Sequence, residues 1–518
     1  MSKIHFEGQT DYKLSAGINT IADAVSVTMG ARGLNVMLNR EHTTPHITKD
    51  GVTVAKAVEM DCVYENMGVR LLQDVAKRTE DEAGDGTTTS IVLSRALYIN
   101  GLKAIETGSS AVLVKRAIEE GVERVVSYLD KISNPVDTID DLLYIATISA
   151  NGDKEIGSLV AQAVEKVGTE GSVIVEEGFV TGLRVEKGME LKKGFPHAHF
   201  INNKTMKTAE FNKPYVFLTD GKINNGNDIK DILSVISENK ASLVIIAESF
   251  SGEFLAQCIT NKIQRGLKIA CVEAPSVGSN RQSIIEDISY LTGAVISSTT
   301  GISLSNIKPE HLGRVDNIII DKDKTIIKSL NDIEPRLEMI RNEIENAKGS
   351  FDIDNAKERL ARLQGGIAVI TISGETDVEI KEKIDRINDA VCATISGLEE
   401  GYVSGGGLAL LQSIDTIWET EIENPSKRAG TKALGLALQA PFVQILENAG
   451  VNSKEILEIT MAGDCERGFN VETGEACNMI DEGIIDPVKV TKTALKNASS
   501  IVCLMLTTKV MLNNIEKT

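Results

Sequence analysis

The sequence is poor in aromatic residues. Phe, Trp and Tyr make up 4% of 518 residues, with a single tryptophan, so any core must be aliphatic. Cysteines are scarce and scattered, at positions 62, 258, 271, 392, 465, 477 and 503. No CxxC and no Cys/His grouping stands at metal-ligand spacing, which argues against a zinc module or a disulfide framework. Free thiols in a reducing compartment are the simpler expectation. No run of about 18 apolar residues occurs, so no membrane span is expected. The opening Met1-Ser2-Lys3-Ile4-His5 lacks the apolar segment of a signal peptide, and a cytoplasmic location is expected. Basic residues are outnumbered, 55 against 74 acidic, for a net charge of −19. That balance disfavours general nucleic-acid binding, which needs phosphate neutralisation. A Gly-Lys-Ser/Thr P-loop is also missing.

What is present is patterned. The length argues for three or so domains at roughly 100–200 residues each. Ile18, Ile21, Ala22, Val25 and Thr28 recur at helical spacing, as do Met67, Leu71, Val75 and Arg78. Helical patterns continue over 84–108 and 111–132 and stop at Asn134-Pro135. The middle of the chain alternates short apolar runs with helical stretches. Strands are expected at 172–175, 243–246, 269–272 and 294–296, and a hairpin over 317–327 around Asp321-Lys322-Asp323. This is an α/β pattern. A charged helix over 333–364 follows, Gly365-Gly366 breaks it, and 367–372 reads as a strand. From Glu379 helical patterns run to the C-terminus. The α/β segment therefore interrupts a helical domain, with natural hinges near 172–188 and 365–374.

The segment Ala83-Gly84-Asp85-Gly86-Thr87-Thr88-Thr89-Ser90 carries the most chemistry. Glycines let backbone N–H groups approach an anion. The helix that follows supplies unpaired donors and positive dipole. Asp85 is a hard oxygen ligand of the kind Mg²⁺ takes alongside phosphate and water. The alternative is an ordinary helix cap. Thr28-Met29-Gly30-Ala31-Arg32-Gly33, Thr48-Lys49-Asp50-Gly51 and Ser404-Gly405-Gly406-Gly407 are similar. Singly they read as caps or turns; jointly they hold the donors, carboxylates and cation of a phosphate–Mg²⁺ pocket. Asp389 lies on a helix beside Arg386 and reads either as a further carboxylate of that pocket or as a surface ion pair.

Taken together, VTMGARG, ITKDGVTVAK, ENMG, AGDGTTTS, ATISANGD, GMELKKGF, YVSGGGLALL and NMIDEGIIDPVKV resemble a divergent GroEL-type (group I) chaperonin subunit, in that family's order and spacing. The resemblance implies an α+β multidomain chaperonin fold. A helix-rich equatorial ATP-binding domain would span 1–131 and 400–518. A small hinge-like intermediate domain would span 132–187 and 367–399, and an α/β apical client-binding domain 188–366. It implies an ATPase coupled to protein folding. Thr28, Met29, Gly30 and Ala31 match the first phosphate loop, and Lys49, Asp50 and Gly51 the second. Asp85, Gly86, Thr87, Thr88 and Thr89 match the central motif, with Asp85 the implied Mg²⁺ ligand and K⁺ a candidate second cation. Gly406 and Asn470 match contacts to the base, and Asp486 a ribose contact. Asp389 is the implied hydrolytic carboxylate, with Asp50 its helper.

The departures are specific. Ala31 stands where the family usually has proline, and the base-contacting Asn-Ala-Ala reads Asn470-Val471-Glu472. The expected client face aligns with Phe195, His199, Phe200, Lys230, Leu233, Leu255, Ile259 and Thr260, three of them polar, which implies weaker or differently selective binding of unfolded proteins. A GroES-type co-chaperonin would meet the same face. The family's ring-joining pair is replaced around Val443, Asn452, Lys454 and Glu455, and the C-terminus reads Asn514-Ile515-Glu516-Lys517-Thr518 without a Gly-Gly-Met tail. Single rings of seven are therefore expected, with a double ring the alternative, as in a specialised or virus-encoded member within a bacterial cell. Two other readings stand beside this one: a scaffold ring with little ATP turnover, and a nucleotide-dependent metabolic enzyme.

Overall fold

The computed structural model describes residues 3–39, 45–168, 171–178, 180–203, 206–296, 304, 307–329, 331–346, 350–418, 422–462 and 467–513. They form two compact units, one of 1–165, 175–182 and 371–518, the other of 166–174 and 183–370.

Long amphipathic helices build the first unit. Ala111–Ile132 buries Val114, Ala117, Ile118, Gly121, Val122, Val125 and Leu129, a stripe at the 3.6-residue period. It packs with Glu7–Ser26, Val63–Ala83, Thr87–Glu106, Pro425–Leu438 and Val488–Leu506 around one aliphatic core. The Val63–Ala83 stripe is set one step from the expected one. Val69, Leu72, Val75, Ala76 and Thr79 are buried, whereas Arg78 is exposed. Ile139–Ser149 begins with a capping box: Thr138 Oγ1 accepts from Asp141 N–H at 3.2 Å, and the Asp141 carboxylate accepts from Thr138 N–H at 3.0 Å. Asp377–Glu400 is capped by Thr376 and ends at Gly401.

Short strands tie the unit together. Lys3–Phe6 pairs antiparallel with Val510–Asn513. Val36–Leu38 pairs with His46–Thr48, Arg467–Asn470 with Glu475–Asn478, and Tyr402–Ser404 with Ile485–Pro487. The expectation of continuous helix after Glu379 missed three of these strand pairings, which are too short to show alternation. The terminal Asn514-Ile515-Glu516-Lys517-Thr518 lies outside the described residues.

Two four-stranded sheets organise the second unit. In one, Lys268–Glu273, Ser242–Ala247 and Tyr215–Leu218 run parallel and Gly313–Arg314 joins antiparallel. The parallel strands are nearly continuous apolar runs, as expected of strands covered on both faces. The strand expected at 294–296 is instead a connection outside any strand, in which Val295 N–H reaches His311 O at 3.0 Å. The other sheet is antiparallel, in the order Gly188–Leu191, Thr325–Lys328, Asn317–Ile320, Ala209–Asn212, and contains the expected hairpin. The charged 333–364 stretch forms two helices, Glu334–Asn346 and Ser350–Gly365. No helix among the described residues is long and apolar enough to cross a membrane.

Candidate functional site

A cavity of about 740 Å³ opens within the first unit. Its central wall is the turn between two helices. Gly84 ends Val63–Ala83 at φ +68°, and Gly86 begins Thr87–Glu106 at φ +86°. Both lie in the left-handed region that glycine enters without steric cost. Asp85 is held between them. Among the described residues no side chain caps the Thr87–Glu106 helix, so its first-turn amides are available to an anion. The helix-cap reading of this segment therefore does not hold. The second loop behaves differently. Asp50 caps Gly51–Ala57, its carboxylate oxygens accepting from Val52 N–H at 3.0 Å and Thr53 N–H at 2.9 Å.

Thr88 brings three segments together. Its hydroxyl lies 3.3 Å from Thr28 Oγ1, and a Cβ on Gly51 would stand 2.4 Å from the same oxygen. Pairing of Tyr402–Ser404 with Ile485–Pro487 sets Val403 opposite Asp486. The turn that follows then donates Gly406 and Gly407 amides to the Asp486 carboxylate. Asn470 Oδ1 accepts from Glu472 N–H at 2.9 Å, holding the 470–474 turn rather than standing free.

Every nucleotide-site residue expected from the sequence lines this one cavity: Thr28, Met29, Gly30, Ala31, Lys49, Asp50, Gly51, Asp85, Gly86, Thr87, Thr88, Thr89, Asp389, Gly406, Asn470 and Asp486. Sequence reasoning missed Ser149, whose hydroxyl reaches Asp85 Oδ2 at 3.5 Å, and Glu80, which adds negative charge near Asp389. Ser149 lies in ATISANGD, a segment that resembled the family but had no assigned role; its ordinary residue types carry no local signal. Arg386, the expected ion-pair partner of Asp389, instead binds Asp153 at 3.2 Å and Glu382.

The electrostatics of the cavity are unusual. Burial pushes Asp85 above the ordinary carboxylate range, against hydrogen bonds from Gly86 and Ser149, and the Asp50 charge adds to the rise. Asp389 is pushed well above that range, by burial first and then by Asp50, Asp85, Asp385 and Glu80. Burial and the nearby Asp85 raise Asp486 to about 7, despite the two glycine amides. Among the described residues none of these three carboxylates has an ion-pair partner. Like charges so gathered favour neutral acids or a bound cation. No cluster of three or more His, Cys, Asp or Glu suited to a metal exists among the described residues. A lone Asp85 carboxylate facing an anion-binding helix end fits Mg²⁺, which takes one or two carboxylates plus phosphate and water; it does not fit an all-protein metal cage.

In the second unit two residues of the expected client face are buried. Phe195 is 8% exposed and Phe200 is 0% exposed, both within that unit's core. Phe200 is fixed there because the Lys262 ammonium donates to the carbonyls of Phe200 and Ile201, at 2.5 and 3.0 Å. Leu233, Leu255 and Ile259 are half-buried against the same core. His199, Lys230 and Thr260 are exposed. As placed, Phe195 and Phe200 offer no apolar surface.

A family model described as the TCP-1/cpn60 chaperonin family matches residues 21–516. Among solved structures, the chaperonin gp146 from the bacteriophage EL 2 (Pseudomonas aeruginosa) in presence of ATP-BeFx is similar in two crystal forms. Form II is 23% identical with a TM-score of 0.70, covering 99% of both chains. Form I is 22% identical with a TM-score of 0.65 and the same coverage. At these identities the likeness shows a shared fold.

Proposed function

The chain belongs to the TCP-1/cpn60 chaperonin family, and from that premise we propose that it is an ATPase that captures non-native proteins and releases them into a ring cavity for folding. The observation that carries this reading is the convergence of the uncapped Thr87–Glu106 helix end with Asp85, Asp389 and Asp486 on one cavity. The related phage chaperonin was crystallised in presence of ATP-BeFx, which supports a nucleotide as the occupant.

In this reading the triphosphate lies on the amides of Thr87, Thr88 and Thr89, beside Lys49 and the Thr28–Ala31 loop. Asp486 takes the ribose hydroxyls, and Gly406 and Asn470 flank the base. Mg²⁺ held by Asp85 would supply the positive charge that offsets phosphate and neighbouring carboxylates, and K⁺ would be the candidate second cation. Asp389 faces the cavity from its helix, where an ionised carboxylate orients water and accepts its proton. Asp50 keeps the second loop in place through its helix cap. Positioning and charge, rather than covalent chemistry, carry such a transfer.

The three-domain division at 131/132, 187/188, 366/367 and 399/400, rings of seven, single or double, and a GroES-type partner complete the proposal, in the cytoplasm of a bacterial cell. Client binding would rest on Leu233, Leu255 and Ile259 with His199 nearby. The polar exposed residues of that region favour a second reading, a scaffold ring with little turnover. Phosphate release by purified protein with Mg²⁺–ATP separates the two. Turnover lost in Asp389→Ala, with nucleotide binding kept, supports the ATPase; absence of turnover in the wild type rejects it. Refolding of a denatured protein with and without ATP tests the coupling, and omission of K⁺ tests the second cation.

A further inference from the structure

We infer that Cys392 and Ser396 are positioning residues that seat the Asp389-bearing helix on the C-terminal end of Val63–Ala83; this rests on the ATPase reading above. Asp389, Cys392 and Ser396 stand at i, i+3 and i+7 of Asp377–Glu400, one face of the helix. Ser396 is 3% exposed, and its hydroxyl donates to Ala83 O at 2.9 Å. Ala83 is the last residue of its helix, where a carbonyl has no intrahelical partner. The next residue, Gly84, presents bare backbone to Cys392. A Cβ on Gly84 would lie 2.3 Å from Cys392 Cβ and 2.8 Å from its Sγ. Asp85 follows immediately. The helix that carries one carboxylate is thus fixed to the two residues preceding the other, so their separation is set by a contact without intervening side chain.

Gly84 has two separable reasons to be glycine. Its φ of +68° strains any other residue, and its missing Cβ admits Cys392. A larger residue at position 392 meets the seat while leaving the Gly84 backbone alone. Neither Cys392 nor Ser396 lines the cavity, whereas Gly84 does, so substitutions at 392 and 396 change the seating of the Asp389 helix while leaving every lining side chain in place.

The experiment is steady-state ATP hydrolysis by the full chain, with nucleotide binding measured separately. Cys392→Leu should lower kcat at least about tenfold, because small displacements of a positioned group are costly. KM and nucleotide affinity should stay within about threefold, the signature of an interaction made in the transition state only. Ser396→Ala should lower kcat in the same pattern but less. Gly84→Ala should be slow as well, and the added Cys392→Gly substitution, which vacates the clash, should recover the part of that loss due to it, the strained φ remaining. Full turnover in Cys392→Leu overturns the proposal, as does a Gly84→Ala/Cys392→Gly chain no faster than Gly84→Ala. A rise in KM with kcat retained also overturns it, since the seat would then serve the phosphate loop. If Gly84→Ala does not fold, Cys392→Leu and Ser396→Ala decide alone. A wild type without turnover removes the ATPase reading and this proposal together; wild-type turnover that ignores Cys392→Leu removes this proposal alone.

Discussion

Asp287 in the second unit and Asp389 in the first both have charged neighbours, and those neighbours are of opposite sign. Asp287 is 1% exposed and sits between two arginines. Arg336 Nε donates to it at 2.7 Å, and Arg359 adds Nε at 2.8 Å and Nη2 at 2.9 Å. Burial works against the Arg359 charge, but Asp287 and Glu343 outweigh it and hold the guanidinium firmly protonated. The charges that raise the pKa of Asp389, half-buried on the cavity wall, are those of Asp50, Asp85, Asp385 and Glu80. A buried acid with its cations in place is a structural joint. Acids that repel one another on a cavity wall are held there by the fold at a cost, and make the cavity a candidate site for an outside cation.

The comparison predicts different consequences for removing each acid. Asp287→Ala takes the shared buried carboxylate from Arg336 and Arg359, leaving them only the more exposed Glu286 and Glu343, and should destabilise the second unit by about 3 kcal/mol, read by denaturant unfolding. A loss under about 1 kcal/mol there would break the contrast, since solvent would then be compensating the arginines. Asp389→Ala should instead cut ATP turnover by about 10²-fold or more, the usual worth of a positioned base. The same substitution should leave the nucleotide-free protein as stable as the wild type or more so, because it relieves repulsion. Destabilisation by Asp389→Ala would show that the cluster is structural after all.

A smaller effect follows from Asp486. Its folded pKa of about 7 lies above the ordinary carboxylate value. The stability it contributes is present in full below the unfolded pKa and is lost as pH rises through 7. Nucleotide-free protein should therefore be about 1 kcal/mol less stable at pH 8 than at pH 6 from this group alone. Asp486→Asn should flatten that slope in thermal unfolding, and an unchanged slope would assign it elsewhere. The smallest predicted effect is at Thr138, outside both clusters: Thr138→Ala removes half a capping box and should cost about 1 kcal/mol.

Much of this cavity was readable because its parts are backbone turns. Gly30, Gly86 and Gly406 all take positive φ, and such turns leave a glycine signature in any sequence. Strands at 243–246 and 269–272 were readable for the same kind of reason: a covered parallel strand must be an apolar run. Gly313–Arg314 was not, because two residues carry no pattern. Phe195 and Phe200 were misplaced since an aromatic side chain reads alike whether it faces a partner or a core. Only the Lys262 contacts and the neighbouring strands decide which.

By itself the sequence determined the helical first unit, the interrupting α/β unit and the glycine-bracketed Asp85, since periodicity and left-handed turns are local constraints. Tertiary structure alone decided that Asp389, more than 300 positions from Asp85 in the chain, shares a cavity with it. It also decided that Asp50 is a cap, that Ser149 reaches Asp85, and that Cys392 rests on Gly84. Charge repulsion, desolvation and steric contact act through space, and their effects appear only once the chain has closed around them.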